Sequence, residues 1–174
     1  MNQNIKILIT GANGYIGKCL YYFLKRKFKV IGIDKETKIN NKIYRCNVLN
    51  TRKLDKILKK EKPKVVVHLA AQSLVDETIN KQKYYRNNII ATNCLLQCMK
   101  KNNIKNIVFT STAAVYQQRL KSLMENSKLK SLSTYAKTKL ICEKNILKQK
   151  GIKSVILRFF NVCSALKKPS LGEL

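Results

Sequence analysis

Several residue types are scarce in this chain of 174 residues, and each scarcity excludes a class of protein. The sequence has no tryptophan, two prolines, one histidine and nine acidic residues. Its apolar residues never form the run of about 18 that a membrane-spanning helix needs. The N-terminus also lacks the basic and apolar regions of a signal peptide. We therefore expect a single folded domain in the cytoplasm, with no membrane partner.

The cysteines lack the paired spacing of a metal site or of a disulfide framework. The six are Cys19, Cys46, Cys94, Cys98, Cys142 and Cys163. Cys94 and Cys98 lie in a predicted helix, but no second pair accompanies them. We therefore predict buried free thiols and no metal site. The one histidine, His68, lies in an apolar strand pattern and is interpreted as a core residue with satisfied hydrogen bonds.

The scarcity of acidic residues leaves a large positive charge. The chain has 36 basic residues and a formal net charge of +27. Such an excess is typical of nucleic-acid-binding proteins. However, the basic residues are spread along the whole length, and 30 of the 36 are lysine. Together with many Asn and Ile residues, this is the composition that an AT-rich coding sequence produces. We expect weak, salt-sensitive association with polyanions and no specific nucleic-acid partner.

Glycine is also sparse, yet half of it is concentrated in one short segment. Gly11, Gly14 and Gly17 are three of the six glycines and lie within seven residues. An apolar strand pattern precedes them, and a helix-compatible stretch follows. Such a turn can seat a dinucleotide pyrophosphate, because bare backbone permits close approach and the helix N-terminus attracts anions. The spacing differs from the common G-x-G-x-x-G, and the alternative is a turn that only packs helix on strand.

Strand-like and helix-like segments alternate along the chain. After the first strand, further strands are predicted at residues 28–33, 43–46, 65–70, 107–110 and 154–158. Helices are predicted to follow the glycine turn, to surround residues 54–58, and to cover 84–101 and 133–148. This alternation predicts βαβ units and therefore an α/β fold with a doubly wound parallel sheet.

Asp34 lies at the end of the second predicted strand. A carboxylate in that position accepts hydrogen bonds from the ribose hydroxyls of adenosine and repels a 2′-phosphate. The residue therefore favours NAD over NADP, although Lys35 directly after it weakens this preference.

Tyr135 and Lys139 are four residues apart and share one face of a predicted helix. A lysine ammonium beside a phenol lowers the phenol pKa, so that the tyrosine can act as a base. Tyr21 and Lys25 have the same spacing, which shows that spacing alone decides little. However, Tyr135 follows the strand that ends near Thr112, and parallel sheets bind ligands at the carboxyl ends of strands. We therefore predict that Thr112, Tyr135 and Lys139 converge.

Six segments in this order carry a family resemblance from Ile5 to about Glu173. They are Thr10–Gly17, Val67–Ala71, Tyr84–Asn88, Thr110–Tyr116, Tyr135–Lys139 and Arg158–Val162. With them the chain resembles the extended short-chain dehydrogenase/reductase family, in its branch of NAD-dependent epimerases and dehydratases. Within that branch it is most similar to the UDP-glucose 4-epimerases.

The resemblance implies NAD as cofactor and a role for each matching residue. The cofactor-binding residues would be Gly11, Asn13, Gly14, Tyr15, Ile16, Gly17, Asp34, Asn47, Val48, Leu69, Ala70, Ala71, Asn87, Asn88, Tyr135, Lys139 and Phe160. Of these, Tyr15 and Ile16 would contact the pyrophosphate, while Asn47 and Val48 would lie by the adenine. Thr112 would orient the sugar hydroxyl, Tyr135 would be the base, and Lys139 would bind the nicotinamide ribose. Asn161 would meet the sugar nucleotide.

The resemblance also implies how the chain is organised. Residues 1–165 would form an NAD-binding Rossmann-type domain, and 166–174 would be the truncated start of a substrate-binding region that the chain mostly lacks. The implied reaction is UDP-glucose/UDP-galactose 4-epimerisation in galactose metabolism, with a UDP-hexose substrate. A separate chain could supply the missing domain, and a homodimer could form. Two alternatives remain open, a non-catalytic NAD-binding remnant and a basic interaction module.

Overall fold

A single sheet of six parallel strands organises the computed structural model, which describes residues 5–36, 43–74, 80–117 and 122–163. The strands lie in the order β3-β2-β1-β4-β5-β6. Their bounds are β1 Lys6–Thr10, β2 Lys29–Asp34, β3 Ile43–Arg45, β4 Val65–His68, β5 Asn106–Thr112 and β6 Lys153–Phe159. The predicted doubly wound parallel sheet is confirmed. The predicted segment 166–174 lies outside the described residues.

Helices form a layer on each face of the sheet. The longer ones are α1 Tyr15–Leu24, α2 Thr51–Glu61, α4 Ala91–Lys101 and α5 Thr134–Leu147, and the short α3 spans Lys81–Tyr84. Alternate strand residues point to opposite faces. Thus Ile7 and Ile9 of β1 pack with α1 in one apolar cluster, while Leu8 joins the cluster under α2, α4 and α5. Within the described residues, no helix is both long and apolar enough to span a bilayer.

The helix predicted over residues 84–101 is interrupted. Between α3 and α4, a π-helical segment spans Tyr85–Ile90. The predicted long helix is therefore confirmed in extent, since helical residues run from Lys81 to Lys101, but its middle is π-helical. Apolar periodicity does not distinguish one wider turn from an ordinary one. π-helical turns occur frequently at functional sites, and this one contains Asn87 and Asn88, both predicted cofactor residues.

One face of β6 remains open to solvent. Val155 is 54% exposed and Leu157 is 38% exposed, whereas Ile156 between them packs against the larger apolar cluster. Parallel sheets are normally covered on both faces. The Val155–Leu157 face is therefore a surface on which a further element could pack.

His68 is a buried core residue, as predicted. Its side chain lies at the end of β4 and is 1% exposed. The ring Nδ1 is 2.7 Å from the Thr10 hydroxyl, and Nε2 is 3.1 Å from the Thr92 hydroxyl. Both ring nitrogens thus have a partner, and the imidazole ties β1, β4 and α4 together.

His68 should make the protein less stable in acid. Burial, and then the nearby Lys139 charge, lower the pKa of His68 to about 3. An unfolded histidine titrates near pH 6.5, so the unfolded state binds more protons between that pH and 3. The free energy of unfolding should therefore fall by up to about 1.4 kcal/mol for each pH unit below about 6.5. Urea unfolding at pH 7, 6 and 5 measures this slope, and His68→Gln should flatten it. Equal stability at pH 7 and pH 5 in the native protein would contradict the prediction.

Candidate functional site

The carboxyl edge of the sheet gathers most of the residues predicted to bind ligand. The strand order reverses between β1 and β4, and such a reversal opens a crevice at the carboxyl ends of the strands. The glycine turn follows β1, and Asp34 ends β2. Leu69 follows β4, and Thr112 ends β5. Sequence segments that lie far apart thus meet at one edge.

The glycine turn is a tight backbone cradle. Gly11 has a φ of +72°, and a Cβ there would lie 2.8 Å from the backbone nitrogen of Ala70. A Cβ on Gly17 would lie 2.1 Å from the carbonyl oxygen of Gly11. Helix α1 starts directly after Gly14, which is exposed. Neither the turn nor its close contact with the β4 loop would accommodate side chains at Gly11 and Gly17. This arrangement is suited to a pyrophosphate.

Asp34 is joined to the glycine turn by direct hydrogen bonds. Its Oδ2 accepts from the backbone N–H of Asn13 at 2.9 Å, and its Oδ1 accepts from the N–H of Glu36 at 3.0 Å. The side-chain amide of Asn13 also donates, through Nδ2, to the backbone carbonyl of Glu36. Each carboxylate oxygen can accept further hydrogen bonds. The carboxylate is therefore fixed beside the turn with capacity for ribose hydroxyls.

Asn47 and Val48, the two residues predicted to lie beside the adenine, differ in their surroundings. Asn47 is exposed, and its side-chain oxygen accepts from the N–H of Leu49 at 3.0 Å. It borders an open groove that Arg52 and Arg86 also line. Val48 is only 5% exposed and belongs to the larger apolar cluster. Its side chain is therefore occupied in the core.

The loop after β4 is fixed on two sides. Toward β1, the N–H of Leu69 donates to the carbonyl of Thr10 at 3.2 Å, and the N–H of Ala70 donates to the Thr10 hydroxyl at 3.2 Å. Toward the π-helical segment, the N–H of Gln72 donates to Asn88 Oδ1 at 2.8 Å. Leu69, Ala70 and Ala71 are half-buried beside the glycine turn, so the loop borders the predicted cofactor site.

Tyr135 and Thr112 are brought together as predicted. The Ser133 hydroxyl caps α5 by accepting from the N–H of Ala136 at 3.1 Å, which places Tyr135 in the first turn. The Thr112 hydroxyl lies close enough to the Tyr135 phenol to lower its pKa. Thr112 also accepts from the N–H of Ala114 at 3.1 Å. Burial raises the pKa of Tyr135 more than Thr112 lowers it.

Lys139 is almost fully buried. It is 2% exposed, and its Nζ lies 4.2 Å from the centroid of the Phe109 ring. Burial lowers the pKa of Lys139 to about 8. Thr112, rather than Lys139, is the group that lowers the Tyr135 pKa in this structure, because the Lys139 ammonium lies over Phe109. The tuning of Tyr135 by Lys139 stays a prediction.

One buried polar group of β5 has unused hydrogen-bonding capacity. Among the described residues, Ser111 Oγ, next to Thr112, is buried without a partner. At the carboxyl edge of the sheet, the glycine turn supplies a backbone cradle and Asp34 a carboxylate. Phosphates and ribose hydroxyls are partners for such donors and acceptors. The residues present therefore fit a dinucleotide.

The remaining predicted residues stay at the rim of the crevice. Phe160 and Asn161 follow directly after β6, and both are exposed, Phe160 to 66%. Asn87 is half-buried in the π-helical segment. The structure thus leaves these three side chains open to a ligand or to another part of a protein.

Sequence reasoning missed two buried networks at the site. In one, the Asn88 amide bridges Gln72 and Thr138. In the other, Glu143 of α5 accepts from Arg158 at 2.7 and 3.1 Å. The signal for the second was available: Glu143 is one of only nine acidic residues, and it lies on the Lys139 face of a helix. No sequence signal identified the first.

Known proteins share this sequence pattern. Residues 7–172 match the sequence profile of the NAD dependent epimerase/dehydratase family. The UDP-glucose 4-epimerase of Lactobacillus helveticus is 36% identical over an alignment of 182 positions. The alignment covers 97% of this chain and 55% of that protein. The dTDP-D-glucose 4,6-dehydratase of Dictyostelium discoideum is 38% identical over 128 residues, covering 64% of this chain and 30% of that protein.

Solved structures share the fold. The UDP-glucose 4-epimerase from Brucella ovis, in complex with NAD, matches with a TM-score of 0.84 at 27% identity. The match covers 90% of this chain and 52% of that one. The chain therefore spans about half the length of the relatives it matches.

Proposed function

Because this chain belongs to the NAD-dependent epimerase/dehydratase family, we propose that it provides the cofactor-binding half of a nucleotide-sugar epimerase. The reaction would be the 4-epimerisation of UDP-glucose and UDP-galactose, in galactose metabolism. NAD is the cofactor of the family, and when bound it supplies a reversible hydride acceptor. The observation that most supports the proposal is that Thr112 and Tyr135 lie side by side at the same sheet edge as the glycine cradle.

Each residue of the crevice has a role in this proposal. Backbone N–H groups of the glycine turn, including those of Tyr15 and Ile16, bind the pyrophosphate. Asp34 accepts from the adenosine ribose and disfavours a 2′-phosphate. Lys139 Nζ donates to the nicotinamide ribose, a role that suits a buried cation held over an aromatic ring.

The reacting hydroxyl of the sugar would lie at Thr112 and Tyr135. Thr112 orients that hydroxyl, and Tyr135 exchanges its proton during hydride removal and return. At the rim, Phe160 packs near the nicotinamide and Asn161 meets the sugar nucleotide. The exposure of Phe160 and Asn161 leaves both available for these contacts.

A complete enzyme needs more protein than the described residues. Binding the sugar nucleotide requires a surface that positions it against Tyr135. The exposed Val155–Leu157 face and the half-length match both favour a further domain that packs on this side. The proposal assigns residues 1–165 to the NAD-binding domain and 166–174 to the start of the substrate region. The rest would come from protein outside these 174 residues, whether on the same polypeptide or on a separate chain, in a cytoplasmic homodimer.

The glycine cradle alone supports a second candidate function, that of a non-catalytic NAD-binding remnant. The two candidates agree on NAD binding and differ in turnover, so one experiment separates them.

The test measures NAD binding and UDP-galactose turnover on the purified chain. We expect the chain to bind NAD by itself, and to turn over UDP-galactose only when the C-terminal half of the Lactobacillus helveticus relative is added. Tyr135→Phe should keep NAD binding and abolish turnover. Tyr21→Phe is the matched control, because Tyr21 has the same spacing to a lysine but lies in α1; it should change neither.

The outcomes divide the candidates. NAD binding with turnover by the complemented chain supports the epimerase. NAD binding without turnover in any combination supports the remnant. A folded chain that binds no NAD refutes both.

A further inference from the structure

Asn88 makes its hydrogen bonds to protein groups on two sides. Asn88 belongs to the π-helical segment, and its side chain is only 2% exposed. Its Oδ1 accepts from the N–H of Gln72 at 2.8 Å. Its Nδ2 donates to the hydroxyl of Thr138 at 2.9 Å and to the carbonyl of Gln72 at 3.4 Å. The amide is therefore occupied, and it connects the β4 loop to α5.

Thr138 extends this connection to the turn that holds Tyr135. The Thr138 side chain is fully buried, and its hydroxyl donates to the carbonyl of Tyr135 at 2.7 Å. A hydroxyl can accept one hydrogen bond while it donates another. The path from Gln72 through Asn88 and Thr138 to Tyr135 is thus continuous. It crosses three elements that the chain order keeps far apart.

The two ends of this path border the same crevice. Gln72 directly follows Ala70 and Ala71, which lie beside the glycine turn, and Tyr135 lies beside Thr112. A displacement of the first turn of α5 would change the distance from Tyr135 to the loop. Buried hydrogen bonds with full satisfaction resist such displacement, because breaking one leaves a polar group without a partner.

We propose that Asn88 and Thr138 are positioning residues, which fix the Tyr135 turn of α5 against the loop Leu69–Gln72 without touching cofactor or substrate. This inference rests on the proposed function, which identifies the crevice as the site of NAD and the sugar nucleotide. It assigns Asn88 a different role from its neighbour Asn87, which is half-buried and remains available for the cofactor.

Thr138→Val tests the proposal directly. Valine matches threonine in shape but lacks the hydroxyl, so the variant breaks the bonds to Asn88 and to Tyr135 together. The first turn of α5 should then loosen and admit water to Tyr135. Because burial is the larger influence that raises the Tyr135 pKa, we expect that pKa to fall toward about 10. NAD affinity should fall about tenfold, the usual cost of one unsatisfied buried group.

Two readouts and three comparison variants make the test specific. The Tyr135 pKa is measured by NMR on protein with 13C-labelled tyrosine, with Tyr135→Phe to assign the signal, and NAD affinity is measured by calorimetry. Thr138→Ser keeps the hydroxyl and should restore both values. Asn88→Asp removes the donor while keeping the shape, and should lower NAD affinity as Thr138→Val does; its new carboxylate acts on the phenol directly, so NAD affinity is the readout for this variant.

Asn93→Ala is the matched control for a purely structural contact. Asn93 also joins α4 to α5, by accepting from Asn145 at 3.0 Å, but it contacts α5 away from Tyr135. This variant should leave the Tyr135 pKa and NAD affinity unchanged. The proposal is overturned if Thr138→Val and Asn88→Asp keep native values, or if Asn93→Ala shifts them equally. If the native chain binds no NAD, the proposed function fails, and the Tyr135 pKa still decides the positioning role.

Discussion

Replacing Gly17 with alanine should abolish the cofactor cradle and destabilise the fold. The new Cβ would lie 2.1 Å from the Gly11 carbonyl oxygen and 2.9 Å from the Ala12 Cα. Both neighbours are backbone atoms, so neither can rotate away. Relief requires α1 to move from the turn, at a cost of about 3 kcal/mol in the free energy of unfolding. NAD affinity should fall about a hundredfold.

Two other glycines provide matched controls for Gly17→Ala. Gly151 has a φ of +81°, but a Cβ added there would have no atom within 4 Å, so Gly151→Ala should cost only the backbone strain of about 1 kcal/mol. Gly14→Ala would bring a Cβ to 3.3 Å from the Gly11 carbonyl oxygen, a tight contact that should cost less stability than Gly17→Ala. Urea unfolding and NAD calorimetry on the three variants give the comparison. Equal urea midpoints for Gly17→Ala and Gly151→Ala would show that the close contact is not what requires glycine.

Removing Glu143 should destabilise the protein as strongly as the glycine change. Its carboxylate is 3% exposed and accepts two hydrogen bonds from the Arg158 guanidinium. These bonds are the main cause that raises the pKa of Arg158. Without Glu143, the Arg158 cation, whose side chain is 20% exposed, keeps the hydroxyl and ring face of Tyr116 and the carbonyl of Glu125, but no carboxylate among the described residues. We expect Glu143→Ala to lower the free energy of unfolding by about 3 to 5 kcal/mol, measured by urea unfolding.

The double variant and an exposed ion pair separate the possible causes. Replacing both partners, with Glu143→Leu and Arg158→Leu, removes the uncompensated charge and should recover much of the loss. Asp55 pairs with Lys101 at 2.7 Å, but the lysine side chain is 71% exposed. Asp55→Ala should therefore lower the free energy of unfolding far less than Glu143→Ala. A loss for Glu143→Ala as small as that for Asp55→Ala would contradict the argument.

The sheet could be predicted from sequence because each strand has a local pattern of apolar residues that identifies it. Continuous apolar runs such as Val65–Val67 are typical of strands buried on both faces, and the glycine turn follows directly from residue spacing. Position at the carboxyl edge then follows from topology, which is why Thr112 and Tyr135 could be placed together.

The side-chain environments could not be predicted in the same way. Whether Lys139 contacts Tyr135 or Phe109 depends on rotamers and burial, which residue spacing does not determine. Asn88 bridges Gln72, which is 16 positions away in sequence, and Thr138, which is 50 positions away. Nothing in the sequence around a helical asparagine indicates such distant partners. The π-helical segment likewise changes the hydrogen-bonding pattern without changing the apolar pattern.

The open face of β6 has a consequence for how copies of the chain meet. β6 is a terminal strand of the described sheet, so its outer N–H and C=O groups can pair with another strand. Next to them lie the apolar side chains of Val155 and Leu157. Two copies that met along this edge would each carry a formal charge of +27, and their repulsion opposes the contact. The lysine-rich composition, whatever its origin, thus acts as a colloidal barrier that salt weakens.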